Sequence, residues 1–247
     1  MRPRKSDKVF EITQQDMLIK HQAFLDWIEN WKEKLESIRF ADLSKNPAKI
    51  AIISVDMIVG FTHEGNLASP RIKGVIPNVV GLFQKAYDYG VRNFVLLQDT
   101  HHEEAREFST YPKHAVRGSK ESETIPELKN LSFSDLFKVV EKNSIHPVHG
   151  TSFRRWFRDH EGVETFIVVG DCTDLCVYQT AMHLKIWADA HQTKRKVVVP
   201  ENCVETYDLS VETAKKIGVI PHDGDFLHKT FLYHMKLNGI EIVKKII

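Results

Sequence analysis

Ile50-Ala-Ile-Ile-Ser-Val-Asp56 is an almost unbroken apolar run, rich in β-branched residues and closed by a carboxylate. A run this short and apolar on both sides reads as a strand buried on both faces of a parallel sheet. The same signature recurs at Asn93–Leu97, Phe137–Val140, Phe166–Val169 and Lys196–Val199. Helical stretches lie between these runs, near Ile76–Tyr89, Ser152–His160, Asp174–Ala190 and Ser210–Ile217. Strands alternating with helices predict right-handed crossovers and a three-layer α/β/α fold with a mostly parallel sheet. Ligands of such sheets sit beyond the carboxyl ends of the strands, so residues just after each run are the ones to inspect.

Residues 1–48 differ from the rest. Phe24, Leu25, Ile28, Trp31 and Leu35 recur at helical spacing among Lys and Glu, predicting an N-terminal helical extension ahead of a main domain at 49–247. The apolar stripe reads as a face packed on that domain or, alternatively, as a subunit contact. The chain has 247 residues, 34 Lys+Arg against 33 Asp+Glu and a formal charge of +1, which argues against a protein built to coat nucleic acid or an acidic membrane. No stretch approaches the ~20 apolar residues that span a bilayer, and Met1–Lys5 opens no apolar signal segment. The expectation is a soluble, cytoplasmic protein with no membrane or nucleic-acid partner. Its 3 cysteines do not form a secreted disulfide framework, which leaves a reduced thiol free to act as a nucleophile. A homo-oligomer is expected because most soluble oligomers are symmetric assemblies of one chain, but no feature fixes its number.

Four places carry chemistry. Asp56 ends the first run, where a carboxylate moves protons at a ligand site or simply caps the next turn. Lys142 follows Phe137-Lys-Val-Val-Glu and is either a surface lysine or a cation that holds a carboxylate and a thiolate charged. Gly170-Asp-Cys-Thr-Asp-Leu-Cys-Val177 puts Cys176 at the start of a helix, where free N–H groups favour thiolate and can cradle an oxyanion. No second cysteine pair completes a structural zinc site, and Cys172 and Cys203 read as small apolar fillers. Lastly, Asp99 and His101 alternate on one side of an extended segment and His114 can return from the loop to join them. One carboxylate and two imidazoles suit a divalent Zn, Mn or Fe ion, with His102 and Glu107 as extras; the alternative is a solvated loop.

Taken together, Asp56, Lys142 and Cys176 resemble the Asp-Lys-Cys triad of the isochorismatase-like cysteine hydrolases, whose fold is Rossmann-like. Asp99-x-His101, Glu107-Phe108 and Pro112-Lys-His114 are similar to the metal-binding segment of the nicotinamidases within that superfamily. The resemblance spans residues 49 to about 220, with its motifs in the family's order. It implies an amidase that turns nicotinamide into nicotinate and ammonia through a Cys176 thioester. It also implies a metal held by Asp99, His101 and His114, with Glu107 either a further ligand or a partner of those ligands, and a pyridine ring stacked between Phe61 and Tyr111. The oxyanion hole would fall on the amides of Cys172 and Cys176, beside a cis peptide at Asp171–Cys172. Ile145, in Asn143-Ser-Ile-His-Pro-Val-His149, stands where the family often has a ring-contacting Tyr, so the resemblance supplies two aromatic walls and not a third. The remaining readings are a metal-independent relative acting on a ureide, another small amide or an isochorismate-type substrate, and a non-catalytic module binding through the Ile28 and Trp31 face.

Overall fold

The computed structural model describes residues 13–247. The polar start at Met1–Lys5 lies outside them. The chain divides into two compact units, the first ending at Lys34 and the second running from Leu35 to Ile247. The first contains α1 (Gln14–Glu33). Its N-terminus is closed by a capping box, in which Thr13 Oγ1 accepts from Asp16 N and the Asp16 carboxylate accepts from Thr13 N, each at 3.1 Å. Within α1 the rings of Phe24 and Trp27 stack with centroids 6.5 Å apart.

The second unit begins with α2 (Phe40–Leu43), followed by β1 (Ile50–Val55), α3 (Val59–Thr62), α4 (Pro70–Gly74) and α5 (Ile76–Tyr89). Next come β2 (Asn93–Asp99), α6 (Pro126–Lys129), β3 (Phe137–Lys142), α7 (Phe153–Asp159) and β4 (Thr165–Asp171). The chain ends with α8 (Cys176–Ala190), β5 (Lys196–Pro200), β6 (Val204–Glu205), α9 (Val211–Ile217), α10 (Gly224–Leu237) and β7 (Glu241–Val243). Residues ahead of β1 join this unit through backbone bonds to the C-terminus, Ile38 N to Lys245 O at 3.0 Å and Lys244 N to Glu36 O at 2.8 Å.

The seven strands form one parallel sheet in the order β3-β2-β1-β4-β5-β7, with β6 paired to β4. The α/β architecture expected from the alternating runs is the one found. The chain steps from β1 through β2 to β3 on one side and then crosses to β4 on the other. That reversal between β1 and β4 is the crevice where open α/β sheets bind ligands. β1 and β4 are buried along their whole length. β3 departs from the expected burial on both faces: Lys138, Val139 and Glu141 are exposed while Val140 and Lys142 are buried. It is an edge strand, so only one face meets the core, and its alternation follows from that position. α10 and β7 were not signalled by the sequence pattern. In α10 the buried stripe is His228, Leu232 and Met235, and a histidine at its first position hides the apolar periodicity.

One layer of the core packs α5 on the sheet through Val79, Leu82 and Phe83 against Ile52, Phe94 and Ile167. The Phe83 and Phe94 rings stack at 5.3 Å. Each such side chain, fully buried, stabilises the fold by roughly 1.5–3 kcal/mol. The pairing of Val55 with both Leu97 and Gly170, and of Asp99 with Lys142, brings the carboxyl ends of β3, β2, β1 and β4 into line. Among the described residues no helix is long and apolar enough to cross a membrane.

Candidate active site

Close approach at the head of the sheet is permitted by a glycine. Gly170 has φ +110°, and a Cβ there would sit 1.9 Å from the carbonyl oxygen of Val55. Immediately after β1 the backbone turns sharply at Asp56, whose φ is 53°. Aspartate tolerates this left-handed conformation better than most residues. The turn is fixed by Asp56 N bonding to Leu97 O at 2.8 Å and by Ile58 N bonding to Asp56 O at 2.7 Å.

Lys142 lies at the centre. Its Nζ is 2.8 Å from Asp56 Oδ2, 2.6 Å from Asp99 Oδ1 and 3.5 Å from Cys176 Sγ. Asp56 Oδ1 accepts from Asp99 N at 2.7 Å. Oδ2 has no aligned hydrogen-bond donor among the described residues, so beyond the ionic contact with Lys142 it retains a lone pair. The carboxylate oxygens of Asp56 and Asp99 and the sulfur of Cys176 all lie within 4.8 Å of one another. The ammonium already fills the centre of that trio, so it is not a second cation site.

The electrostatics depart from the sequence-based expectation of a resting thiolate. Burial pushes the Cys176 thiol well above its ordinary range; Lys142 opposes this, but Asp56 and Asp99 add to it. One ammonium cannot stabilise three buried anions at once. Burial also raises the Asp56 carboxyl, helped by Asp99 and opposed by Lys142, to about 7. The group that titrates near neutrality is therefore the carboxyl, with a thiol beside it.

Asp99 turns its second oxygen to the imidazoles, Oδ2 lying 3.5 Å from His101 Nε2 and 3.9 Å from His114 Nε2. Those two nitrogens face each other at 3.1 Å. His114 Nδ1 lies 2.7 Å from Pro112 O, and His101 Nδ1 lies 3.2 Å from Asn143 Oδ1. The N–H of His102 fixes the Asn143 amide by donating to the same oxygen at 2.9 Å. Both Nδ1 atoms thus donate to oxygen, leaving two Nε2 lone pairs pointed at one another, an arrangement that a cation between them relieves. Glu107 completes a group with Asp99, His101 and His114 whose ligand atoms all lie within 4.8 Å. Burial raises its carboxyl, with Asp99 adding to the effect. This donor set fits a divalent ion. His102 is exposed and only its backbone takes part.

Phe61 packs its ring 5.5 Å from that of His114, and Tyr111 stands edge-on to the same imidazole at 6.4 Å. The peptide between Asp171 and Cys172 is cis, and Cys176 opens α8. Cys203 is buried in the core and Cys172 half-buried beside the site.

Several residues here were not singled out from the sequence. Asn143 orients His101. Asp171 is buried with its Oδ2 unpartnered, and burial together with Asp56 keeps its carboxyl well above the usual range. Asp174, two residues before Cys176, is bound at 2.8 Å by His222 Nε2 and at 2.6 Å by the Thr206 hydroxyl. An Asp just before a helix is a legible cap signal, but its partners arrive from the loops after β6 and α9, which no local spacing announces.

The sequence matches the isochorismatase domain over residues 50–221. The chain belongs to the isochorismatase family. This isochorismatase-family hydrolase is 29% identical over 215 residues to nicotinamidase 1 of Arabidopsis thaliana, covering 81% of this chain and 87% of that protein. Solved structures share the fold. The cysteine hydrolase of Pseudomonas syringae pv. phaseolicola superposes with a TM-score of 0.65 at 20% identity, over 80% of this chain and 89% of its own. The pyrazinamidase of Pyrococcus horikoshii in complex with zinc gives 0.61 at 23% identity, over 79% and 99%. The nicotinamidase of Bacillus subtilis gives 0.60 at 22%, also over 79% and 99%.

Proposed function

We propose that this hydrolase cleaves a small aromatic carboxamide, nicotinamide first among them, to the acid and ammonia through a thioester on Cys176. The observation that carries the reading is the sharing of Asp99. One of its oxygens holds Lys142 at 2.6 Å, within a triad of Asp56, Lys142 and Cys176, while the other faces the paired imidazoles of His101 and His114.

Asp56, titrating near neutrality, is matched to a base that must accept and later release a proton. As the thiol proton passes to Asp56 Oδ2, Cys176 Sγ bonds to the amide carbon and the carbonyl oxygen takes up the negative charge. The N–H groups of Cys172 and Cys176 receive that oxyanion. Asp56 protonates the amide nitrogen, the C–N bond breaks and ammonia leaves, with the acyl group on sulfur. A water then gives its proton to Asp56 and attacks the thioester; the C–S bond breaks and the thiol is regenerated. Lys142 holds Asp56 and the sulfur in place and offsets the negative charge that moves between them. Phe61 and Tyr111 flank the ring of the substrate. Asp99, His101, Glu107 and His114 would hold a divalent metal, which supplies a positive charge with an open position for the lone pair of a ring nitrogen.

The test is ammonia release from nicotinamide and a panel of other amides, with and without chelator, by the native chain and Cys176→Ala. Release from nicotinamide that needs both the thiol and the metal is expected. Turnover confined to other amides, still lost in Cys176→Ala, would retain the triad and overturn the substrate.

A further inference from the structure

Phe61 and Tyr111 account for two sides of a flat ring, and Ile145 offers no aromatic third. Tyr207, just beyond β6, packs half-buried against the cluster of Ile58, Phe61, Ile72 and Ala115, together with Cys172. Tyr207 thus packs on the same cluster as Cys172, one of the two residues assigned to the oxyanion. Burial, helped by Tyr111, Cys172 and Asp174 nearby, pushes the Tyr207 phenol well above its ordinary range, so it stays an uncharged ring with a hydroxyl.

What holds this ring is as telling as where it lies. Tyr207 stacks on His222 with centroids 3.8 Å apart and planes 19° from parallel. His222 is pinned at both nitrogens, Nδ1 at 2.9 Å from Tyr207 O and Nε2 at 2.8 Å from Asp174 Oδ2. The other Asp174 oxygen takes the Thr206 hydroxyl. Asp174 lies in the turn that delivers Cys176, so one hydrogen-bonded unit sets both the nucleophile and the tyrosine. The backbone of the segment is tied in as well, through Leu209 N to His222 O at 2.7 Å and His222 N to Leu209 O at 2.8 Å. An aromatic residue braced in this way behaves as a rigid surface rather than a side chain that swings aside.

We infer that Tyr207 is the third aromatic wall of the substrate pocket and selects flat aromatic carboxamides over aliphatic ones. The inference rests on the proposed amidase reading and adds to it a residue that determines specificity. His222 and Asp174 are positioning residues that act through Tyr207.

The experiment compares nicotinamide with an aliphatic amide of similar size on the metal-loaded enzyme, using the native chain, Tyr207→Phe, Tyr207→Leu and Tyr207→Ala. Loss of one ring contact should raise KM for nicotinamide about tenfold in Tyr207→Ala and Tyr207→Leu, with kcat within about threefold. Tyr207→Phe should stay within about twofold of the native KM, and the aliphatic amide should barely respond. Tyr207→Leu keeps most of the apolar volume, so it serves if the alanine variant does not fold. Equal loss of kcat on both amides would assign Tyr207 a merely structural role and overturn the inference. Native turnover of nicotinamide indifferent to every substitution would overturn it alone, whereas a native enzyme that cleaves only aliphatic amides would overturn the substrate reading with it.

Discussion

Asp56 and Cys176 exchange a proton in the proposed reaction, and burial acts on both. The Asp56 carboxyl rises from 3.8 to about 7, so ionising it opposes folding. The cost is absent below about pH 4, grows as pH rises and is complete above 7. Asp56→Asn should therefore be nearly neutral for stability at pH 4. At pH 8 it should raise the unfolding midpoint by roughly 4–8 °C, if about 2 kcal/mol of the charge penalty is relieved. Calorimetry at both pH values checks this, and a midpoint at pH 8 below that of the native chain would refute it. The same variant should have no measurable amidase activity. Lys142→Met leaves Asp56 and Asp99 buried without the shared ammonium. It should cost about 3–5 kcal/mol, read as a lowered urea midpoint, together with loss of turnover. Asp56, Asp99, Lys142 and Cys176 were legible in the sequence because each ends or follows an apolar run. The protonation of the thiol was not, because it depends on the sum of burial and two carboxylates that only the folded sheet brings together.

Among the elements, β4 admits least change. At Gly170 a methyl group would meet the Val55 carbonyl oxygen at 1.9 Å, in a conformation with φ +110°. Gly170→Ala should force β1 and β4 apart beside Asp56 and Asp171, costing more than about 4 kcal/mol. Soluble yield and the urea midpoint report it, and a variant with native stability would show that the two strands separate easily. The strand and helix runs of the sheet core were readable because period and length agree there: α5 spans Ile76–Tyr89 as expected, and β1 spans Ile50–Val55. The stretch after β5 was harder to read. β6 has two residues and β7 three, too few to show a period, and the stripe of α10 includes His228. Tyr207 and His222 lie in that same stretch, which is why the wall they build was not found from spacing.

For the whole molecule, the imidazole pair predicts linkage between metal and stability. An ion that binds the folded chain alone adds about 2.7 kcal/mol at a hundred times its Kd. For a chain of this size that is about 5–10 °C in Tm, increasing with the logarithm of metal concentration. Differential scanning fluorimetry with zinc or manganese checks the expectation, and chelator should reverse the shift. His114→Ala should flatten the response, and a Tm indifferent to metal in the native chain would rule out the site.

Asp99 offers one oxygen to an ammonium and the other to two imidazoles. A cation drawn to the second oxygen withdraws electron density from the first and loosens its grip on Lys142, which then turns more of its charge to Asp56 and the sulfur. Sulfur chemistry thus becomes a gauge of ion loading at a group that contains no sulfur. An alkylating reagent should consume Cys176 faster in the loaded protein than in the stripped one. Titrating that rate would count occupied molecules in a preparation even when no substrate is present.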